Sequence, residues 1–566
     1  MPVEFDVTQC PFSRFGSYFS LSITTADRGD LGRGLYLHTH HGGSTQAFKI
    51  DPIRGGEVLE FEIHATATQL VLTPAGGGEI AMVISPAGTV RFRGSGVGLR
   101  LEMPAMRWRF AYELPGGAWG FNMARTDVQL ALDTLMGELV VDAPWVKGQG
   151  FCKESGRMVA VLTPERDGTF EAAVDEFTTT WIKPERPAFG ACTEEVVQAY
   201  TAWTNGLPKV EPMYEPTRDL AGYVNWSATV DPAGNLTRRT MLMSKMSMCN
   251  VFAWDHAFNA MAHCSHDPEL AWDQLMVMSD KQDPYGKSPD NMNDRDMMYT
   301  FSKPPVQGWA LRRMWDENPA LLTPERLAEA YDYLSKWSNW LCEHRTWPGD
   351  ILPFYIHGFD SGWDNSTIFD EGIPLVAPDL AAYLVIQLEV LADITKALGR
   401  EAEAAVWQRR SGDMLAALVE RLWTGDRFVG IRRPSGKIVE CDSLITCMPM
   451  VLGSRLPQNI RTSLVKRIRE HLTPWGLATE KLTSSQYQEN GYWRGPIWAP
   501  STLLVVSGLA DIGEDNLVKT IARAFCKMCR QNGFAENFDA KSGVGHYDPA
   551  YTWTSSVFMI LASEYC

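Results

Sequence analysis

The period of the hydrophobic pattern changes once along this chain, near residue 190, and that change restricts what it can fold into. Before it, apolar side chains recur at every second position. Leu59, Phe61, Ile63, Ala65 and Ala67 fall on one side of an extended segment, with Glu60, Glu62, His64 and Thr66 opposite. Leu99, Leu101 and Met103 repeat the pattern, as do Val128, Leu130 and Leu132. Extended backbone turns successive side chains to opposite faces, so each run predicts a strand with one buried face. Gly42-Gly43, Gly76-Gly77-Gly78 and Gly116-Gly117 mark turns. The triplet lacks the Gly-Lys-Ser/Thr of a phosphate cradle and reads as a plain turn. Residues 1–188 are therefore expected to form an antiparallel β-sandwich domain.

From about residue 190 the apolar spacing is helical. Thr323-Pro324-Glu325 is a start signal, a capping hydroxyl followed by proline at the first helical position. Leu327, Leu334, Trp337 and Leu341 then share one face. Leu384, Leu388, Leu391 and Leu398 form a second stripe, closed by Gly399, and Trp407, Met414, Leu415, Leu418 and Leu422 a third. The break between the last two is short enough to predict an antiparallel helical hairpin. Roughly eleven helical segments are expected over residues 189–566, the second domain. Such hairpins close into two concentric rings or into an irregular bundle, and periodicity alone does not choose.

Composition excludes more than it selects. The chain has 566 residues, 45% apolar and 21% charged, as expected of a globular protein with a large core. No run of about 18 apolar residues is present, so no membrane span is expected. The formal charge of −16 disfavours nucleic acid and anionic membranes as partners. A neutral small molecule fits better. Eleven cysteines without a disulfide rhythm suggest reduced thiols and a cytoplasmic location. The opening Met1-Pro2-Val3-Glu4-Phe5-Asp6 has no basic region before an apolar run, so no cleaved signal is expected. No metal or cofactor is expected. Cys526 and Cys529 form a lone pair within a helical stretch, and His263 and His266 lack a third ligand nearby.

Two carboxylates stand in crowded settings. Asp364 lies in Asp360-Ser361-Gly362-Trp363-Asp364-Asn365-Ser366, and Glu536 in Phe534-Ala535-Glu536-Asn537-Phe538-Asp539. Between them runs Asn490-Gly491-Tyr492-Trp493-Arg494-Gly495-Pro496-Ile497-Trp498. Cleaving a glycosidic bond requires one protonated and one ionised carboxyl, with flat apolar faces to hold a sugar. Blander readings exist. Asp364 could cap a helix, although Asp370 or Ser366 suits that role better. Glu489 rivals Glu536 as a base, with Asp539 behind it. Trp493 and Trp498 could pack a core, and Arg494 could serve only to tie loops together.

Six segments in order resemble the inverting α-glycosidases of glycoside hydrolase family 63 and its relatives, the family 37 trehalases and the mannosylglycerate and glucosylglycerate hydrolases. They are Trp254-Asp255, Gln282 to Gly286, Lys303-Pro304-Pro305, Ser361 to Ser366, Tyr492 to Trp498, and Glu536 to Asp539 with Gly543. The resemblance spans about 300 residues of the helical half and implies an (α/α)6 barrel behind an N-terminal β-sandwich. It implies Asp364 as general acid and Glu536 as general base, with carboxyls ~6.5–9.5 Å apart. It further implies that Trp254, Asp255, Gln282, Trp363, Tyr492, Trp493, Arg494, Gly495 and Trp498 shape the sugar subsite. Asp360 is the candidate like-charged neighbour that keeps Asp364 protonated. Arg295 and Tyr299 are the candidates for binding a glycerate carboxylate, crowded by Asp290, Asp294 and Asp296. The resulting expectation is an exo-acting inverting α-glycosidase of short α-glucosides. Its alternatives are an α-mannoside or glycosylglycerate hydrolase, a glycoside phosphorylase, and a non-catalytic sugar-binding protein.

Overall fold

The computed structural model describes residues 3–123, 126–146 and 154–566. Met1 and Pro2 of the opening segment, and Cys152, lie outside the described residues.

Antiparallel strands between Phe12 and Phe177 build two eight-stranded sheets. Strands Phe19–Thr24, Gly34–Thr39 and Thr45–Arg54 run as a meander in one sheet, extended by Gly98–Met103 and Met158–Thr163. Strands Leu70–Pro74, Glu79–Ile84 and Val90–Ser95 do the same in the other, extended by Thr169–Phe177 and Gln129–Met136. The alternation seen in the sequence is what packs them. Leu21, Leu37, Leu99 and Leu101 face Leu72, Met82, Phe92 and Leu130 across one dry core, while Glu62 and His64 stay exposed. Gly76, Gly77 and Gly78 have φ of 80°, 91° and 90°, a left-handed turn closed to most other residues.

Thirteen α-helices follow: α1 (Phe189–Gly206), α2 (Glu215–Ala228), α3 (Asp255–His263), α4 (Pro268–Met276), α5 (Gln307–Glu317), α6 (Pro324–His344), α7 (Gly358–Ser361), α8 (Pro378–Ala397), α9 (Glu401–Leu422), α10 (Gln458–Glu470), α11 (Ala499–Asp511), α12 (Asp515–Asn532) and α13 (Thr552–Glu564). A tighter 3-10 segment spans Leu444–Arg455. Helices α3, α5 and α8, the 3-10 segment, α11 and α13 touch in that order, and α13 returns to α3. Helices α2, α4, α6, α9, α10 and α12 alternate with them along the chain and pack outside. The result is an (α/α)6 barrel. Thr323 caps α6 as its sequence predicts, its side chain accepting from the backbone of Arg326. Leu398 and Gly399 (φ 74°) turn α8 into α9, and the two helices pack as the expected hairpin. Neither Asp370 nor Ser366 caps α8; its N-cap is Ala377.

The strands and helices share one apolar cluster, in which Tyr18, Ala67 and Val83 meet Val196, Tyr200 and Trp226. Buried polar groups cross the same boundary. Lys245 Nζ donates to Ser13 Oγ at 3.1 Å and to the Ser17 carbonyl at 2.6 Å. The ten described cysteines are free thiols. Among the described residues no helix is long and apolar enough to cross a membrane.

Candidate active site

The two carboxylates singled out in the sequence line one cavity of about 270 Å³. It lies at the N-terminal ends of the inner helices. Asp255 is the first residue of α3, Trp498 is the N-cap of α11 and Tyr551 the N-cap of α13. Asp364 and Lys303 lie on the segments that enter α8 and α5. Several helix dipoles thus point their positive ends at a space crowded with acids, which favours the ionised forms.

Asp364 is set by a single helical turn. Gly362 ends α7 at φ 68°, and a Cβ there would fall 2.6 Å from the Trp254 ring. Burial raises the Asp364 pKa; Lys303 opposes that rise and Asp290 adds to it. The like-charged neighbour is therefore Asp290 rather than Asp360. Asp360 is instead committed to the loop frame, accepting from Arg345 at 3.0 Å, the Ser302 amide at 2.7 Å and the Ile356 amide at 2.8 Å. Three donors hold it, and its work is to fix the turn that carries Asp364.

Glu536 sits between α12 and α13, where its amide donates to the Asp548 carbonyl at 2.8 Å. Asp548 is in turn anchored by the Ser247 hydroxyl at 2.6 Å and amide at 3.0 Å. Burial pushes the Glu536 pKa up to about 7. The Tyr492 hydroxyl, donating to Oε1 at 3.0 Å, opposes the rise, while the charges of Asp548 and Asp364 add to it. Tyr492 takes a left-handed φ of 62°, and Trp498 Nε1 fixes its carbonyl at 2.9 Å. Burial also raises Asp255 well above the usual carboxylate range, with Lys303 opposing.

An aromatic floor backs these acids. Trp493 and Trp498 stack with centroids 4.0 Å apart and planes 7° apart. Trp254 and Trp553 meet edge to face at 5.6 Å. All four line the cavity, as do Asp255 and Tyr492. The remaining residues expected in the subsite stand outside it. Trp363 is fully buried behind Trp493, at 4.6 Å. Gln282 donates to the Gly286 and Tyr333 carbonyls at 2.9 and 3.1 Å. Arg494 donates to the Asn365 carbonyl at 2.8 Å and pairs with Asp370, tying two site loops together. A Cβ at Gly495 would fall 2.4 Å from the Gln488 carbonyl, so this glycine permits a close turn. Glu489, the rival base, is exposed and paired with Lys541 at 2.6 Å. Asp539 accepts from Ser542 within its own turn.

Other lining residues carried no motif of their own: Met248, Phe252, Asp290, Asn291, Met298, Phe301, Phe359, Tyr551 and Trp553. Lys303 opened a recognised segment, but its role is new. It pairs with Asp290 at 2.9 Å and donates to the Phe359 carbonyl at 2.7 Å. Among the described residues no group of three or more His, Cys, Asp or Glu side chains is arranged to hold a metal ion.

A family model, the mannosylglycerate hydrolase MGH1-like glycoside hydrolase domain, matches residues 248–554. Every cavity-lining residue falls inside that range. A mannosylglycerate hydrolase from Rubrobacter radiotolerans is 22% identical over 415 residues, covering 55% of this chain and 90% of its own. One from Thermus thermophilus is 21% identical over 392 residues, covering 54% and 92%. Among solved structures, a GH63 mannosylglycerate hydrolase from Thermus thermophilus in complex with glucose matches with a TM-score of 0.53 at 20% identity, over 61% of this chain and 99% of that one. A bacterial glucoamylase complexed with acarbose matches with a TM-score of 0.60 at 12% identity, over 100% of this chain and 95% of that one. The glucoamylase likeness shows that the pairing of strands and helical barrel is a shared architecture.

Proposed function

The chain belongs to the mannosylglycerate hydrolase MGH1-like glycoside hydrolase family, and from that membership we propose an exo-acting, inverting α-glycosidase of short α-glucosides. Asp364 is the general acid and Glu536 the general base. The observation that carries this reading is the convergence of both carboxyls, from segments 172 positions apart (536 minus 364), on one aromatic-floored cavity. Burial, with Asp290 nearby, raises the Asp364 pKa and so favours the protonated form that the glycosidic oxygen needs as it leaves. Glu536 takes a proton from water, and the water attacks the anomeric carbon from the opposite face. A cavity of about 270 Å³, closed by tryptophans, supports a single terminal sugar ring with the leaving group toward solvent.

A second reading, a glycosylglycerate hydrolase, draws on the names of the relatives. It shares the acid, the base and the inverting step, and differs in the leaving group. Proton NMR of a disaccharide digest tests the mechanism common to both. The β-anomer should be released first, and an initial α-anomer would overturn inversion. Asp364→Asn and Glu536→Gln should each lower kcat by about two to four decades with unchanged circular dichroism.

A further inference from the structure

The mouth of this cavity differs chemically from its floor. The floor residues Asp255, Trp493, Trp498 and Trp553 are all at most 3% exposed. At the mouth, Met298 and Phe359 are 43% and 40% exposed. A three-stranded sheet builds one side of it. Strand Val251–Phe252 pairs with Asn291–Met292, which pairs with Met297–Met298. Phe252 is directly opposite Asn291, and Asn291 directly opposite Met298. These three form one cross-strand row, and all three line the cavity. Phe301 and Phe359 close the other side, meeting edge to face at 5.0 Å.

We propose that this collar is the leaving-group subsite and that it selects an apolar aglycone, an alkyl or aryl group, over one bearing a carboxylate. The inference rests on the glycosidase reading above and names the substrate class for it. Four of the five collar side chains are apolar. The one cation among the described lining residues, Lys303, is already held by Asp290 at 2.9 Å. The basic and hydroxyl groups considered for glycerate are committed elsewhere. Arg295 pairs with Asp294 at 3.1 Å and Asp127 at 3.3 Å, and the Tyr299 hydroxyl donates to the Lys281 carbonyl at 2.5 Å. A carboxylate entering here would lose water and find no unpaired cation among the described lining residues. An apolar group would instead cover Met298 and Phe359 and gain from the water released.

Benzyl, methyl and glycerate α-glycosides of glucose and of mannose have leaving alcohols of comparable basicity, so their kcat/KM ratios report the subsite rather than the chemistry. The benzyl compound should exceed the methyl compound about tenfold and the glycerate compound by more. Met298→Ser and Phe359→Ser, both at half-exposed positions, should each bring the benzyl-to-methyl ratio down about fivefold. Calorimetric binding of the same ligands to Glu536→Gln should follow the same order. Glycerate compounds preferred in turnover or binding, or a ratio that neither substitution changes, would overturn the proposal. If no glycoside is turned over by the wild type, the glycosidase reading falls, and the binding order still decides the collar.

Discussion

Tyr492 and Lys303 govern the proton affinities of the acids around them. The Tyr492 hydroxyl favours ionised Glu536, against burial, which favours the protonated form. A base must be ionised to work, so kcat/KM should fall as pH drops through about 7. Tyr492→Phe removes the donor and should move that acidic limb upward by about one pH unit. A pH profile between 5 and 9 reads the shift, and a limb that stays put would assign it to another group. Lys303→Met leaves Asp290 buried without its ion pair, which should cost about 3 kcal/mol in urea unfolding. Much at this scale was legible in the sequence. Asp364, Glu536, Trp254, Asp255, Tyr492, Trp493 and Trp498 all came from short motifs and all line the cavity. Gln282 and Arg494 did not reach it, because Gln282 is held by the Gly286 carbonyl of its own turn and by Tyr333, and Arg494 by Asn365 and Asp370, which only folding brings close. The pairing of Asp290 with Lys303 was not legible, because the two are 13 positions apart (303 minus 290) and no spacing rule joins them.

Elements supply the aim of these side chains. Gly362 lets α7 stop within one turn and lets the backbone leading to Asp364 pass close to the Trp254 ring. Gly362→Ala would place a Cβ at a left-handed φ of 68° and 2.6 Å from that ring. It should lower stability by at least about 1–2 kcal/mol and kcat/KM by tenfold or more, since both the acid and the sugar platform must shift. Thermal unfolding and kinetics on one preparation measure the two effects. The outer helices were readable because each has one apolar stripe, as α6 does. The inner ring was harder. Helix α8 was readable from its leucine spacing, but it is buried nearly all round, so no polar face marked its place in the inner ring. The 3-10 segment carries Pro449 inside an apolar run and gives no helical signature at all. Ring closure is a property of contacts between α13 and α3, which local sequence does not encode.

At the scale of the molecule, the strand region grips the segment that carries the site. His41 stacks on Tyr18 at 3.9 Å and bonds Asp294 at 2.7 Å, with Glu176 at 3.4 Å. The Gly42 amide also donates to Asp294, at 2.8 Å. Asp294 belongs to the stretch between Asp290 and Lys303, both at the cavity. Burial alone would lower the His41 pKa, but the hydrogen bonds to Asp294 and Glu176 outweigh it and raise it to about 9. A histidine whose folded pKa is raised contributes its full stabilisation below the unfolded value of about 6.5 and loses it as pH rises through the folded value. The window is therefore pH 6.5 to about 9, and the shift corresponds to about 3 kcal/mol. Lys245, lowered to about 7 by burial, titrates in the opposite sense, because the unfolded chain binds its proton up to a higher pH. The raw stability profile mixes the two. The difference between wild type and His41→Gln isolates one of them. That difference should be largest near pH 6, shrink steadily above pH 7 and approach a constant near pH 10, as read by chemical unfolding at each pH. A difference that is flat across this range would mean that His41 is neutral in the fold and that the clasp between strands and barrel is packing alone.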